Sequence, residues 1–361
     1  MAWTGAAAAS PQVLYTIIAG IKEATYGTIP TTGTAAFHPV MQPNFQPRAL
    51  RHILDEGLRG TSASAFDLLP GPGEGTVGFG GSFHLDTTPH LLQSLVGPDT
   101  YASTTHVFMP PASGLPSSYT YQYQNDVATF NFPGTRIQTL RLTFNSAAGA
   151  LQYTAQGMSK LATKAVPGSV TFSGKQTAAY TLNQAMTGWQ GAILIDGTTF
   201  SMPITEGELT LTRQLTPAHS LTGTQDVFAI YPGPLQMELR LTMDYTTMQA
   251  NDYFAGDFGE TAVASASVAG WGGQPAGYAY GATNLPISIV FTQNPAAGVG
   301  STPVAVEQSM TFSMQRAAWR NVETTMNGAL YTQTATIVAL NNAADRGPGR
   351  ISIKNSQATA Y

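Results

Sequence analysis

Apolar and polar residues alternate strictly along two stretches of the chain. Val77, Phe79, Gly81, Phe83 and Leu85 take turns with Gly78, Gly80, Ser82 and His84. Leu235, Met237, Leu239, Leu241 and Met243 take turns with Gln236, Glu238, Arg240 and Thr242. A period of two sends successive side chains to opposite faces, so each stretch predicts a strand with one buried face. After the first, Asp86, Thr87 and Thr88 precede Pro89, and Leu91, Leu92 and Leu95 form an apolar stripe. That predicts a short helix capped by Asp86, entered through Pro89 and stopped at Gly97. After the second, Asp244, Met248, Tyr253 and Phe254 offer a similar arrangement, with Gly256 as the stop.

The rest of the chain is also rich in strand patterns. Residues 189–195 and 198–204 flank Asp196 and Gly197, which tolerate the positive φ of a tight turn, and predict a hairpin. Further strands are expected at 119–124, 138–144, 207–213, 287–292, 309–314 and 334–340. This spacing predicts a mainly β protein, an antiparallel sandwich or barrel, with one short helix in each half.

The halves look like copies. Leu58, Arg59, Gly60 and Thr61, then Phe66 and Pro70, Gly71 and Pro72, recur as Leu221, Thr222, Gly223 and Thr224, then Phe228 and Pro232, Gly233 and Pro234. The offset is 163 residues from Leu58 to Leu221 and 162 from Pro70 to Pro232. The alternating strands match at 158, from Val77 to Leu235. Leu140, Leu142 and Phe144 match Met310, Phe312 and Met314 at 170, and Gly149 to Leu151 match Gly328 to Leu330 at 179. A repeat of this kind builds a symmetric object. The competing reading is that two β-rich segments resemble each other through alternation alone, which leaves the LxGT and PGP groups unexplained. The expected division is an arm at 1–29, a first domain at 30–185, a second at 186–343 and an arm at 344–361.

Composition narrows the function. Only 10% of the 361 residues are charged and the net charge is −4, with a pI near 5.8. So weakly charged a surface suits a subunit that covers much of itself with its own copies, and it argues against a general nucleic-acid binder, which needs a basic face. There is no cysteine, so disulfides and thiolate chemistry are excluded. The first residues lack the basic start of a signal peptide, and the apolar run from Val13 to Ala19 is too short for a membrane span.

Candidate chemistry is sparse. His84 and Asp86, with His219 as a distant third, have the composition of an iron-binding facial triad, and His90 extends the set towards zinc. No closing ligand stands at a recognisable spacing, and Asp86 has a simpler use as a helix cap. The glycines between 71 and 81 lack a following Gly-Lys-Ser/Thr and run into a strand, so they predict turns and close packing rather than phosphate binding. No Gly-x-Ser-x-Gly elbow occurs. Asp55 and Glu56 beside Arg51 and Arg59 form a charge cluster with no catalytic partner. We therefore expect no enzyme activity, no cofactor and no metal.

The segment Gly20, Ile21, Lys22, Glu23, Ala24, Thr25, Tyr26, Gly27, Thr28, with Pro30 after it, resembles the opening of tail tube proteins of long-tailed bacteriophages. Trp189, Gln190 and Gly191, leading into a strand and the Asp196–Gly197 turn, resemble the start of the second half in the longer, siphophage-type members. The resemblance implies two tandem tail-tube-like β-sandwich or half-barrel domains between extended N- and C-terminal arms. It also implies a structural virion protein, made in the host cytoplasm, that stacks as rings of about six domains. Three chains of two domains each complete such a ring. Its partners would be further copies of itself, the tape measure protein, the tail terminator and baseplate proteins, while double-stranded DNA passes through unheld.

A conduit must not bind DNA, because each lumen cation would neutralise a phosphate and add attraction. Gly78, Gly80, Ser82, Gln236, Glu238 and Thr242 are the expected lumen-facing residues, with the opposite strand faces forming the core. Arg346, Arg350 and Lys354, in a tail with alternating Ile351 and Ile353, are the expected ring-to-ring contacts, the competing reading being a frayed end. Two rival functions share these features: a related virion protein such as a terminator, baseplate hub or completion protein, and a surface-layer or adhesin-type β module.

Overall fold

The structure, a computed structural model, describes residues 17–31, 35–41, 43–55, 67–124, 129–147, 149–165, 185–200, 202–221, 224–246, 250, 284–293, 308–327, 330–355 and 361. The chain runs through β1 (Ile17–Lys22), β2 (Ala36–Phe37), the hairpin β3 (Asn44–Asp55) and β4 (Asp67–Ser82), and helix α1 (Pro89–Leu95). The hairpin β5 (Asp99–Ala102) and β6 (Thr105–Phe108) follows, then β7 (Tyr119–Gln124), β8 (Thr129–Asn145), β9 (Gln152–Ser159) and β10 (Thr163–Ala165). The second half continues with β11 (Gly191–Ile195), β12 (Thr198–Thr199), the hairpin β13 (Ile204–His219) and β14 (Val227–Asp244), β15 (Ile287–Gln293), β16 (Gln308–Met314), β17 (Ala317–Asn327), β18 (Leu330–Ala339) and β19 (Arg350–Lys354).

All pairings are antiparallel. One continuous run of strands has the order β3-β4-β9-β8-β13-β14-β18-β17. Its first four strands and its last four follow the same plan, a hairpin whose second strand is joined by a second hairpin. The remaining strands form an outer layer with the same property: β2-β1-β7-β8-β10 in the first half, β12-β11-β15-β16-β19 in the second. β8 serves both layers, pairing with β7 and β10 through residues 129–135, with β9 from Arg136 onwards and with β13 from Thr139 onwards. β16 and β17 divide that task in the second half.

The Pro-Gly-Pro groups lie inside long strands rather than in turns. In the first hairpin, Leu50 opposes Gly73 and His52 opposes Pro70, leaving one residue of β3 against two of β4. In the second, Arg213 opposes Leu235 and Leu215 opposes Pro232, leaving one residue of β13 against two of β14. A bulge is where proline is tolerated in a sheet, since no ladder hydrogen bond is required there. The offset is 163 from His52 to Leu215 and 162 from Pro70 to Pro232. Carried along β4 and β14, the offset of 162 sets Val77 against Leu239, four residues beyond Leu235. The offsets of 158 and 162 differ by an even number of residues, so the inward and outward faces are the same under either. Leu140 to Phe144 and Met310 to Met314 are not equivalents, because the former lie in the run with β9 and β13 and the latter in the outer layer. Leu58 to Phe66, Thr222, Gly223, and the expected second helix at Met248, Tyr253, Phe254 and Gly256 lie outside the described residues.

Between the layers lies one apolar core. Phe79, Phe83, Leu140, Leu142, Leu209, Leu211, Leu239, Leu241 and Ile337 enter it from one side, and Phe108, Ile289, Phe291, Phe312, Ile351 and Ile353 from the other. Each such side chain contributes about 1.5–3 kcal/mol through burial. Gly207 is required for the fit: a Cβ there would stand 2.0 Å from Phe144 Cζ. Helix α1 adds Leu91, Leu92 and Leu95 to the same core, and its N-cap position is held by Thr88 rather than Asp86.

Both expected arms are corrected in part. Residues 17–22 are strand β1, between β2 and β7, and residues 1–16 lie outside the described residues. At the other end, residues 350–354 are strand β19, inserted between β16 and β6 of the same chain, because the alternation of Ile351 and Ile353 is used to fill the core.

Candidate functional site

The eight-strand run presents one face to the core and one to solvent, and the solvent face is the candidate site. Gly78, Gly80 and Ser82 of β4 and Gln236, Glu238 and Thr242 of β14 all lie on it. Cross-strand neighbours connect the two sets in rows. Gly78, Gln156, Thr139, Thr212 and Gln236 form one; Gly80, Thr154, Arg141, Thr210, Glu238 and Val338 the next; Ser82, Gln152, Thr143, Glu208, Arg240 and Thr336 the third. Gly80 is needed for close packing as well, since a Cβ would come within 2.6 Å of the Tyr153 carbonyl oxygen.

Charge on this face is acidic and internally compensated. Among the side chains described, its outward positions carry Arg141, Arg240 and Arg320 against Glu74, Glu206, Glu208, Glu238, Glu323 and Asp244, while the side chains of Arg48 and Arg51 in β3 lie outside the description. Arg141 donates to Glu208 through Nη2, and Arg320 Nη1 stands 3.6 Å from Glu238 Oε2. Asn145 Nδ2 donates to Glu206 at 3.1 Å, and Thr210 Oγ1 donates to Glu208 at 3.2 Å. Exposed pairs of this kind are each worth about 0–1 kcal/mol, so their effect is on surface potential more than on stability. The sequence reading missed Arg141 and Arg320; the alternation of Thr139, Arg141 and Thr143 with Leu140, Leu142 and Phe144 was the signal for the first.

The second feature of the site is the joint between halves. β13 pairs with β8 and β19 with β6. The β13/β14 hairpin leans across the first half, where Leu215, Val227 and Ile230 pack against Tyr26 and Met158. Asp226 accepts from Leu161 N at 2.8 Å and pairs with Lys160 Nζ at 3.3 Å, Gly73 N donates to the Gln225 carbonyl at 2.9 Å, and Arg213 Nη2 donates to the Val96 carbonyl at 3.1 Å. Burial pushes the Arg213 guanidinium down to about 10, with Arg136 adding to the effect.

The Gly20 to Thr28 motif supports that joint. Glu23 is buried, and its carboxylate accepts four hydrogen bonds: Oε1 from Thr120 Oγ1 (2.6 Å) and Gly134 N (2.7 Å), Oε2 from Ser118 Oγ (2.7 Å) and Gly27 N (2.8 Å). It thereby fixes the turn that carries Tyr26, whose ring faces the Arg136 guanidinium at 5.5 Å. Burial raises the Tyr26 hydroxyl to about 12.

Of the expected ring contacts, Arg346 is exposed at a turn with φ 55° and borders a groove of about 810 Å³ with Gln236, Glu238 and Arg320. Arg350 lies 3.7 Å from the buried Asp345 carboxylate, and Lys354 ends β19 opposite Ser309 and Thr105. The structure does not bring the three together as a free tail. His84 ends the alternating stretch beside α1, whereas His219 is exposed at the far end of β13; among the described residues no three histidine, aspartate or glutamate side chains converge on a metal site. Among the described residues no helix is long and apolar enough to cross a membrane.

Residues 16–314 match the family model of phage tail tube proteins. No curated protein matches the chain.

Proposed function

The chain belongs to the phage tail tube protein family, and from that premise we propose that it is a pair of sister β units, three copies of which close a ring around a DNA conduit. The observation that carries the reading is the shared strand plan of the two halves, matched to the residue at the Pro-Gly-Pro bulge. The eight-strand run ends in β3 at one side and β17 at the other. β8 and β13, where the halves meet, hold the positions of β17 and β3. A neighbour's β3 on β17 therefore repeats a joint the chain already makes internally, and closing the circle removes edges on which so weakly charged a β protein aggregates.

The solvent face of that run then lines the bore, with Gly78, Gly80, Ser82, Gln236, Glu238 and Thr242 towards the DNA. Its acidic, paired character supports passage without retention, since few uncompensated cations face the phosphates. The tape measure, terminator and baseplate proteins are the partners this role implies, within the virion tail.

Native mass spectrometry and negative-stain microscopy of the purified chain test the reading. Complexes of three 38.0 kDa chains and hollow stacked tubes are expected. Six-chain rings refute the paired-unit reading, and single rings that never stack favour a terminator-like role. Glu206→Lys with Glu238→Lys should give tubes that retain double-stranded DNA at low salt and release it as salt rises. Equal DNA retention by both tubes refutes the lumen assignment.

A further inference from the structure

Within one chain the second half grips the first along two edges, not one. In the inner run β13 pairs with β8; in the outer layer β19 pairs with β6, Ile351 opposite Phe108 and Ile353 opposite His106. The strands of the first half that hold the positions of β13 and β19 are β3 and β10. β10 stands on β8 as β19 stands on β16: Lys164 opposes Phe130, the second residue of β8, and Lys354 opposes Ser309, the second residue of β16. β10 and β3 also lie on the same side of the molecule, since Ala162 N donates to the Pro47 carbonyl of β3 at 3.1 Å. They differ from β19 and β13 in one respect. Among the described residues no strand covers the second edge of β10, and Thr163 and Lys164 are exposed, whereas the second edge of β19 is taken by β6 and its Ile351 and Ile353 are fully buried.

We propose that the free edge of β10 receives a strand from the second half of another copy of this chain, added antiparallel as β6 is added to β19. The joint between copies is then double, one seam in the inner run at β3 and one in the outer layer at β10. An unpaired strand edge is a template for such addition, and backbone hydrogen bonds along it supply affinity that does not depend on side-chain charge. The inference rests on the ring reading, but it assigns an acceptor that closure of the inner run alone does not require.

Thr163→Pro and Lys164→Pro test it. Neighbouring amides of a strand point to opposite sides, so one proline removes an N–H used by β8 and the other an N–H directed outwards. The urea midpoint of the unassembled chain tells them apart. The outward variant should keep the wild-type midpoint and raise the concentration for half-assembly at least tenfold by analytical ultracentrifugation; the inward one should lower the midpoint. The proposal is overturned if the outward variant assembles as the wild type does while the wild type forms three-chain complexes. It is equally overturned if both variants lower the midpoint, which puts both amides in bonds within the chain. A wild type that stays monomeric overturns the ring reading first and this inference with it.

Discussion

Replacing Glu23 by glutamine tests how the opening motif works. Each carboxylate oxygen accepts one backbone amide and one hydroxyl: Oε1 from Gly134 N and Thr120, Oε2 from Gly27 N and Ser118. A glutamine keeps the shape but presents one NH₂ group in place of an oxygen. The hydroxyl on that side can rotate and accept, whereas the backbone amide cannot. Whichever way the side chain is flipped, one buried N–H faces another donor. A buried donor without a partner costs about 1–3 kcal/mol, and the surviving bonds lose their ionic character, so Glu23→Gln should destabilise by about 2–4 kcal/mol. Glu23→Ala strands four donors and opens a cavity, and should cost about 4–6 kcal/mol, in the range reserved for broken buried networks. Urea unfolding of the unassembled chain measures both. The turn held by Glu23 carries Tyr26, on which the hairpin residues Leu215, Val227 and Ile230 rest, so a cycle with Ile230→Ala should show losses that are less than additive. A Glu23→Gln protein within 0.5 kcal/mol of the wild type, or strict additivity in the cycle, would refute the reasoning.

Stability should fall in mild acid. Burial holds His38 down to about 3, helped by His90, and His90 down to about 4, helped by Lys22. The unfolded chain takes up these protons near pH 6.5 while the folded one does not, so stability is full above that value and declines below it, by about 1.4 kcal/mol per unit and histidine, until pH nears the folded values. Among the described residues neither His38 ring nitrogen has a hydrogen-bond partner, and the ring packs between Phe79 and Tyr121; His38→Phe should roughly halve the slope between pH 6 and 4.5, measured by denaturant midpoints. Deleting residues 350–361 removes Ile351 and Ile353 from the core and leaves β6 paired with β5 alone and β16 with β15 alone; loss of cooperative melting by circular dichroism is expected, and a truncated chain that melts normally contradicts the assignment of β19. Gly207→Ala drives a methyl into the Phe144 ring and should cost about 1–3 kcal/mol, with Phe144→Leu restoring part of the loss in the same unfolding assay.

The inward face was legible where alternation is strict, because alternation is a local property: Phe79, Leu142, Leu209 and Leu241 all point where their parity puts them, whereas β3, β9 and β17 were not expected as strands. What alternation cannot give is register along the strand: Val77 matches Leu235 at an offset of 158 and Leu239 at 162 equally well. The Pro-Gly-Pro groups give one offset, 162, and they lie at bulges set by their facing strands at His52 and Leu215, which no local pattern announces. The hub around Glu23 was invisible for a different reason: its donors at 118, 120 and 134 are separated from it by about a hundred residues, and nothing in a local pattern couples them. The tail misled through its charges, Arg346, Arg350 and Lys354, while the two isoleucines between them decided its place. Of the candidate site, the small and polar outward residues of β4 and β14 were accessible to parity, and the compensating Arg141–Glu208 pair was not, because it joins strands 67 positions apart.

The seam at β19 also orders events during synthesis. β6 meets it across about two thirds of the polypeptide, from Val107 to Ser352. A ribosome has therefore made β1 to β18 before this outer strand receives its second neighbour. Contacts of such wide separation form late, and until then a half-made subunit lacks the clasp that holds its two parts in one orientation. The relative setting of the two parts is thus fixed by the last of the described strands, after every other one has been made.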